Sequence, residues 1–133
     1  MEDTMINKCA ALIIKDNKVL VVRKSGTAIF ISAGGKIEPN ETQLECLERE
    51  VFEELGVNVL TSHMYSCDSA KAEFENKTVT IYSYIVEVEG EPKPSSEISE
   101  IYWMGLDDVN EIKLGSILKY YLVPKLCKEG LLT

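Results

Sequence analysis

The sequence predicts an α+β domain, because extended segments come before, between and after two helices. Three observations carry that prediction. The run Thr78 to Val88 is β-branched and alternating, with Tyr82 and Tyr84 inside it. Leu44, Leu47, Val51 and Leu55 recur at helical spacing between a capping residue, Asn40, and a terminating glycine, Gly56. Ile117, Leu118, Tyr121, Leu122 and Leu126 repeat the helical period within Leu114 to Lys128. At 133 residues and 45% apolar composition, the chain suits one domain over residues 1–133 with one modest core. It carries no internal repeat, low-complexity tract or linker.

The elements follow in order. Apolar runs Cys9 to Ile14 and Val19 to Val22 flank Lys15-Asp16-Asn17-Lys18, which reads as a β-hairpin turn. A short extended run, Ile29 to Ser32, meets Ala33-Gly34-Gly35-Lys36, where paired glycines predict a loop that turns sharply or approaches something closely. The first helix is expected over Glu41 to Leu55. Glu50, Glu53 and Glu54 share a face adjacent to its apolar stripe, being three and four residues apart. Val57 to Leu60 and Ile101 to Met104 read as strands, and the breaker-rich segment between Gly90 and Glu100 as a surface loop. Pro124 is expected to interrupt or kink the terminal helix, since it lacks an N–H and its ring crowds the preceding turn.

Charge and cysteine usage exclude several function classes. Fourteen Lys and Arg against 22 Asp and Glu leave a net charge of −8, so bulk nucleic-acid or anionic-membrane binding is disfavoured. No apolar stretch nears the roughly 20 residues needed to span a bilayer, and the acidic start is unlike a basic signal peptide. A soluble, cytoplasmic protein is expected. The four cysteines, Cys9, Cys46, Cys67 and Cys127, lack C-x-x-C spacing, which favours free thiols over disulfides or a zinc site. His63 is the single histidine and excludes a His-rich metal centre.

Clustered like charges on a helix cost stability unless a cation or solvent compensates. Spacing alone leaves a solvated face as the leading explanation. The surrounding residues change the balance. Gly35 is followed after five residues by Glu41, after seven more by Arg49-Glu50, and then by Val51-Phe52-Glu53-Glu54-Leu55-Gly56-Val57. Residues 35–57 thereby match all nine specified positions of G-x5-E-x7-R-E-U-x-E-E-x-G-U, with U aliphatic, the signature of the Nudix hydrolase family. The chain resembles that family, and its MutT-like members, over nearly its whole length.

The resemblance implies an α/β/α sandwich around a mixed β-sheet and hydrolysis of a nucleoside diphosphate linked to a further group. It makes Glu50, Glu53 and Glu54 ligands for Mg²⁺ or Mn²⁺, ions that prefer hard oxygen donors. The Gly34-Gly35 segment resembles the family loop that lends a backbone carbonyl, that of Gly34 being favoured. Arg49 would orient a glutamate through a charged hydrogen bond, and Glu41 would support the loop-to-helix junction. A further carboxylate corresponds to Glu97, with Glu100 as its competitor. Arg23 and Lys24 match a basic pair near substrate phosphate, and Lys36 and Tyr82 complete the expected substrate contacts. Water attack on phosphorus needs a general base, for which Glu50 is favoured and Glu53 and Glu97 stay open.

The chain departs from many relatives in having Ala33 where proline precedes the two glycines. Base selectivity is expected among Phe30, Tyr65, Tyr82 and Tyr84, which serve equally well as core residues. The length favours a small nucleotide over a capped RNA end. Dimerisation is common in the family, and no sequence feature here decides whether a homodimer forms. Two alternatives remain from other classes: a non-catalytic sensor of a nucleotide or nucleotide sugar, and an acidic helix that docks a basic partner.

Overall fold

The computed structural model describes residues 4–71 and 77–133. Seven strands form one mixed sheet: β1 Thr4–Leu12, β2 Ile14–Lys15, β3 Lys18–Lys24, β4 Phe30–Lys36, β5 Asn58–Lys71, β6 Lys77–Glu89 and β7 Ile98–Met104. The order is β2-β3-β4-β1-β6-β5, with β7 added on β3. Only β1 and β6 run parallel; the other pairs are antiparallel. Strand β4 belongs to both halves, pairing β3 through residues 30–32 and β1 through residues 33–36.

Alternation along the strands divides the interior into two layers. Cys9, Ala11, Leu20, Val22 and Val86 pack against Cys46, Leu47, Val51 and Leu55 of helix α1, Gln43–Leu55. Leu12, Val19, Val21 and Met104 face the opposite way, against Ile117, Leu118, Leu122, Val123 and Leu126 of the C-terminal helical segment. The α/β/α sandwich expected from the resemblance is therefore present, with two core clusters rather than the single modest one expected. A sheet covered on both faces needs two apolar layers, and the alternating strands supply both.

Several elements differ in detail from the sequence reading. Helix α1 begins at Gln43, with Thr42 rather than Asn40 as its cap. The Thr42 hydroxyl accepts the Glu45 amide at 3.1 Å, and the Glu45 carboxylate accepts the Thr42 amide at 2.9 Å. This reciprocal box satisfies two donors where a lone Asn would satisfy one. Asn40 instead occupies a left-handed turn, φ 66°. Gly56 ends the helix at φ 69°, as expected. Leu44 lies outside the packed stripe and is exposed; Glu54 takes the buried place at the far end of the helix.

Asp16 and Asn17 adopt the paired left-handed conformation of a tight hairpin turn. The strand joined by that turn is β2, because the chain breaks at Ile13 between β1 and β2. Strand β7 starts at Ile98, so the loop closes earlier than expected. Pro124 does not interrupt the last helix. Ahead of it, Leu118–Leu122 forms a π turn in which the Val123 amide reaches back to the Leu118 carbonyl, and the chain continues as α2, Val123–Lys128. The wider turn changes the phase of the apolar stripe, which leaves Tyr121 exposed and Val123 buried.

All four cysteines are free thiols, with Cys9 Sγ and Cys46 Sγ 2.8 Å apart between β1 and α1. Among the described residues no helix is long and apolar enough to cross a membrane. The capping box makes one prediction for this layer. Replacing Thr42 by Ala should lower unfolding free energy by about 1 kcal/mol, measured from the urea midpoint, whereas Asn40→Gly, which removes the side chain and suits the left-handed φ of 66°, should change it by less than half as much.

Candidate active site

The paired glycines are not in a loop. They sit within β4, and close approach, not turning, is what demands them. A Cβ on Gly34, which has φ 138°, would lie 2.1 Å from the Cys9 carbonyl oxygen of the paired strand β1. A Cβ on Gly35 would lie 2.6 Å from the Glu50 carboxyl carbon. Bare backbone here lets the acidic side of α1 press directly onto the strand.

Glu54 exploits that access. Its side chain is 2% exposed, and one carboxyl oxygen accepts the Gly34 amide at 2.9 Å. The other oxygen, Oε2, is buried without a hydrogen-bond partner. Burial pushes this carboxyl up to about 7, against the pull of the Gly34 amide. It is Gly34's N–H, pointing at Glu54, that engages the cluster, whereas the resemblance favoured its carbonyl. The three glutamates expected on one solvated face are graded by depth. Glu54 is fully buried, Glu50 is nearly so at 14% side-chain exposure, and Glu53 is half-exposed. Burial raises Glu50 as well, opposed by Arg49.

Arg49 gathers this cluster. Its guanidinium donates to both oxygens of Glu41, at 2.7 and 3.0 Å, to Glu50 at 2.6 Å and to the Lys36 carbonyl at 3.2 Å, and approaches Glu53 at 3.5 Å. Arg49 holds the Glu41 carboxyl down at about 2. Glu41, in turn, accepts the Glu38 amide and so fixes the entry to the helix.

The loop before β7 completes the cluster. Backbone amides of Lys93 and Ser95 donate to the Leu55 and Glu54 carbonyls, which the end of α1 leaves unpaired. That wrapping brings Glu97 within electrostatic reach of Glu54. Lys24 Nζ stands 3.5 Å from Glu97 and also acts on Glu50 and Glu54. Glu100 points elsewhere, paired with Arg23 at 3.1 Å, and Arg23 also donates to the Thr27 carbonyl.

A cavity of about 410 Å³ adjoins Gly34 and Gly35 on the side of the C-terminal helix. Lys8, Lys24 and Lys71 line it together with Ser32 and Ser116, and Ile31, Val79, Ile81, Ile117 and Leu122 supply apolar walls. Lys8 is a cavity-lining residue that the sequence reading missed. It lies outside the signature in an ordinary strand, and alternation on β1 was its only signal. Lys36 and Tyr82 line a separate concavity with Glu38 and Glu41. Of the aromatics considered for base contact, Phe30 is buried in the core and Tyr84 donates to the Gln43 side chain. Tyr65 packs its ring under Lys125, 4.2 Å from the ammonium.

Among the described residues no three His, Cys, Asp or Glu side chains converge as a ready metal cage. Glu50 and Glu53 are turned to Arg49, which accounts for this. The donor set nevertheless fits a hard divalent cation. It consists of carboxylate oxygens, and among the described residues the buried Oε2 of Glu54 has no hydrogen-bond donor, with Lys24 acting on it only at longer range.

The arrangement is a mixed sheet between helices, with a glutamate-rich helix laid on a glycine strand beside a cationic cavity. The NUDIX domain pattern matches residues 5–126, so the chain belongs to the Nudix family of hydrolases. It is 30% identical over 101 residues to the 8-oxo-dGTP diphosphatase of Escherichia coli K12, covering 72% of this chain and 76% of that one. It is 40% identical over 57 residues to the CTP pyrophosphohydrolase of the same organism, covering 40% of this chain. That match spans 42% of the relative's length, less than half. The MutT protein of Methanosarcina mazei has the same fold, with a TM-score of 0.81, 23% identity and 97% coverage of both chains.

Glu54 and Glu41 act oppositely on stability. A carboxyl raised on folding stabilises fully below its unfolded value near 4.5, and that contribution is lost as pH rises through about 7. Glu41, depressed on folding, stabilises above 4.5 and loses its contribution as pH falls toward about 2. The urea midpoint of metal-free protein should therefore fall between pH 5 and pH 8. Glu54→Gln, which keeps an acceptor for the Gly34 amide, should flatten that slope.

Proposed function

We propose that the chain is a metal-dependent pyrophosphohydrolase of small nucleotides, cleaving a nucleoside di- or triphosphate or a nucleoside diphosphate joined to another group. The observation that carries this reading is the buried, unpartnered oxygen of Glu54 within a complete signature. A carboxylate left in that condition costs stability unless a cation arrives. Names carried by the relatives, a CTP pyrophosphohydrolase and an 8-oxo-dGTP diphosphatase, support the reaction class.

In this reading Glu50, Glu53, Glu54 and Glu97 hold Mg²⁺ or Mn²⁺, with a backbone group of the Gly34-Gly35 segment beside them. The bound cation neutralises phosphate charge and acidifies a water. The remaining work falls to the chain. Glu54, fixed by the Gly34 amide, sets the depth at which the pyrophosphate lies against β4. Glu50 takes the proton of the attacking water, because burial raises its basicity while the Arg49 bond keeps its orientation. Arg49 carries the cluster's compensating charge and stays fully protonated, held there first by Glu41. Lys24 answers negative charge on the phosphates from the cavity side. The cavity takes the base and sugar, and at about 410 Å³ it falls in the range of small-molecule sites.

A panel of nucleoside triphosphates and nucleoside diphosphate derivatives, assayed with Mg²⁺ for phosphate or pyrophosphate release, tests the proposal. Turnover of at least one member, abolished by EDTA and restored by added metal, is expected. Glu53→Gln and Glu54→Gln should each lower turnover on the order of 100-fold or more with far-ultraviolet circular dichroism unchanged. A folded, metal-loaded protein that hydrolyses no member would overturn the reading.

A further inference from the structure

Lys8 lies on β1 opposite Lys36 of β4 and Ile81 of β6. Alternation sends Cys9 and Ala11 into the α1 layer and Leu12 into the other, so Lys8 shares the face of Ala10 and Leu12. That face belongs to the cavity, which both Lys8 and Ala10 line. The Lys8 side chain is partly buried and forms no ion pair or hydrogen bond among the described residues.

Its electrostatic surroundings are unusual for a lysine in a chain of net charge −8. The charged groups acting on it are Lys24, a second cation on the same cavity, and Glu50, already bonded to Arg49 at 2.6 Å. Lys24 has an ion pair, Glu97 at 3.5 Å, but an exposed one of little strength. The described lining of the cavity includes no Asp or Glu. Three lysines, Lys8, Lys24 and Lys71, thus line one cavity whose described lining offers no carboxylate. An anion from outside, bound between Lys8 and Lys24, lowers their mutual repulsion further than Glu50 and the exposed Glu97 do.

We propose that Lys8 is a substrate-binding residue that, together with Lys24, grips the phosphate attached directly to the nucleoside. This rests on the nucleotide-hydrolase reading above and adds a contact outside the signature. The carboxylate cluster holds the far part of the polyphosphate through cations, and Lys8 holds the near phosphate without one. Lysine suits the place, since its ammonium is a compact charge on an apolar stem that can run along the cavity wall.

Calorimetric titration with a nucleoside monophosphate and with the matching nucleoside, both in Mg²⁺, separates the phosphate contact from the base contact. Lys8→Met should weaken monophosphate binding about 10-fold and leave nucleoside binding unchanged, with Lys8→Arg restoring most of the loss. In turnover, the same substitution should raise KM more than it lowers kcat. Lys15→Met, at an exposed hairpin lysine, removes the same charge and should leave monophosphate affinity unchanged. The inference is overturned if Lys8→Met binds monophosphate as wild type does, if it loses nucleoside affinity equally, or if Lys15→Met matches it. It is also overturned if the only effect is tighter Mg²⁺ binding, the mark of a lysine that merely balances Glu50. Wild-type turnover in the same preparations reports separately on the hydrolase reading, which survives an unaffected Lys8→Met and fails only if wild type cleaves nothing.

Discussion

Glu54 reaches the interior because β4 has no side chain to keep it out. Gly34 offers its amide to one carboxyl oxygen, and the other oxygen faces a buried space without a partner. An ionised carboxylate in that setting is costly, and the rise of its pKa to about 7 expresses the cost. The neighbouring arrangement follows from this placement. The strand must be bare at Gly34 and Gly35, α1 must lie flat on it, and the 90–97 loop must close over the end of the helix. Stability is given up at one point, where a buried acceptor is left without a donor among the described residues.

Arg49 is the counterweight. A helix with glutamates at 45, 48, 50, 53 and 54 repels itself, yet one guanidinium ties Glu41 and Glu50 together and touches Glu53. Residues 35–57 contain seven glutamates against Lys36 and Arg49, so most of the chain's −8 belongs to this segment. The rest of the surface is closer to neutral, and the cavity beyond the glycines is lined by cations. In the proposed function an acidic protein accepts a polyanion because its negative charge is concentrated in one cluster and positive charge lines the adjoining wall.

Much of this was legible in the sequence, and for identifiable reasons. The signature spacing located the residues of the cluster, since helical period and glycine steric needs are local properties. Depth was not local. Glu50, Glu53 and Glu54 look equivalent on a helical wheel, and only the β4 backbone beneath α1 separates the buried Glu54 from the half-exposed Glu53. Asn40 and Thr42 were both chemically able to cap α1, and the Glu45 side chain decided between them. Pro124 was expected to interrupt or kink its helix, and a single-residue rule cannot foresee that the local distortion takes the form of a π turn ahead of it. Lys8 escaped notice because its meaning depends on which strands flank β1 and on the long-range approach of Lys24. Glu97 and Glu100 were likewise separated only by tertiary pairing, Arg23 holding the second.

The central claim is that Glu54 is a buried carboxylate awaiting a cation. Its side-chain carboxyl carbon can be followed by nuclear magnetic resonance as pH is varied, in metal-free protein and in saturating Mg²⁺. The account predicts titration near 7 without metal and a fall well below the ordinary glutamate range with Mg²⁺ bound. A Glu54 that titrates near 4.5 in both conditions would contradict it.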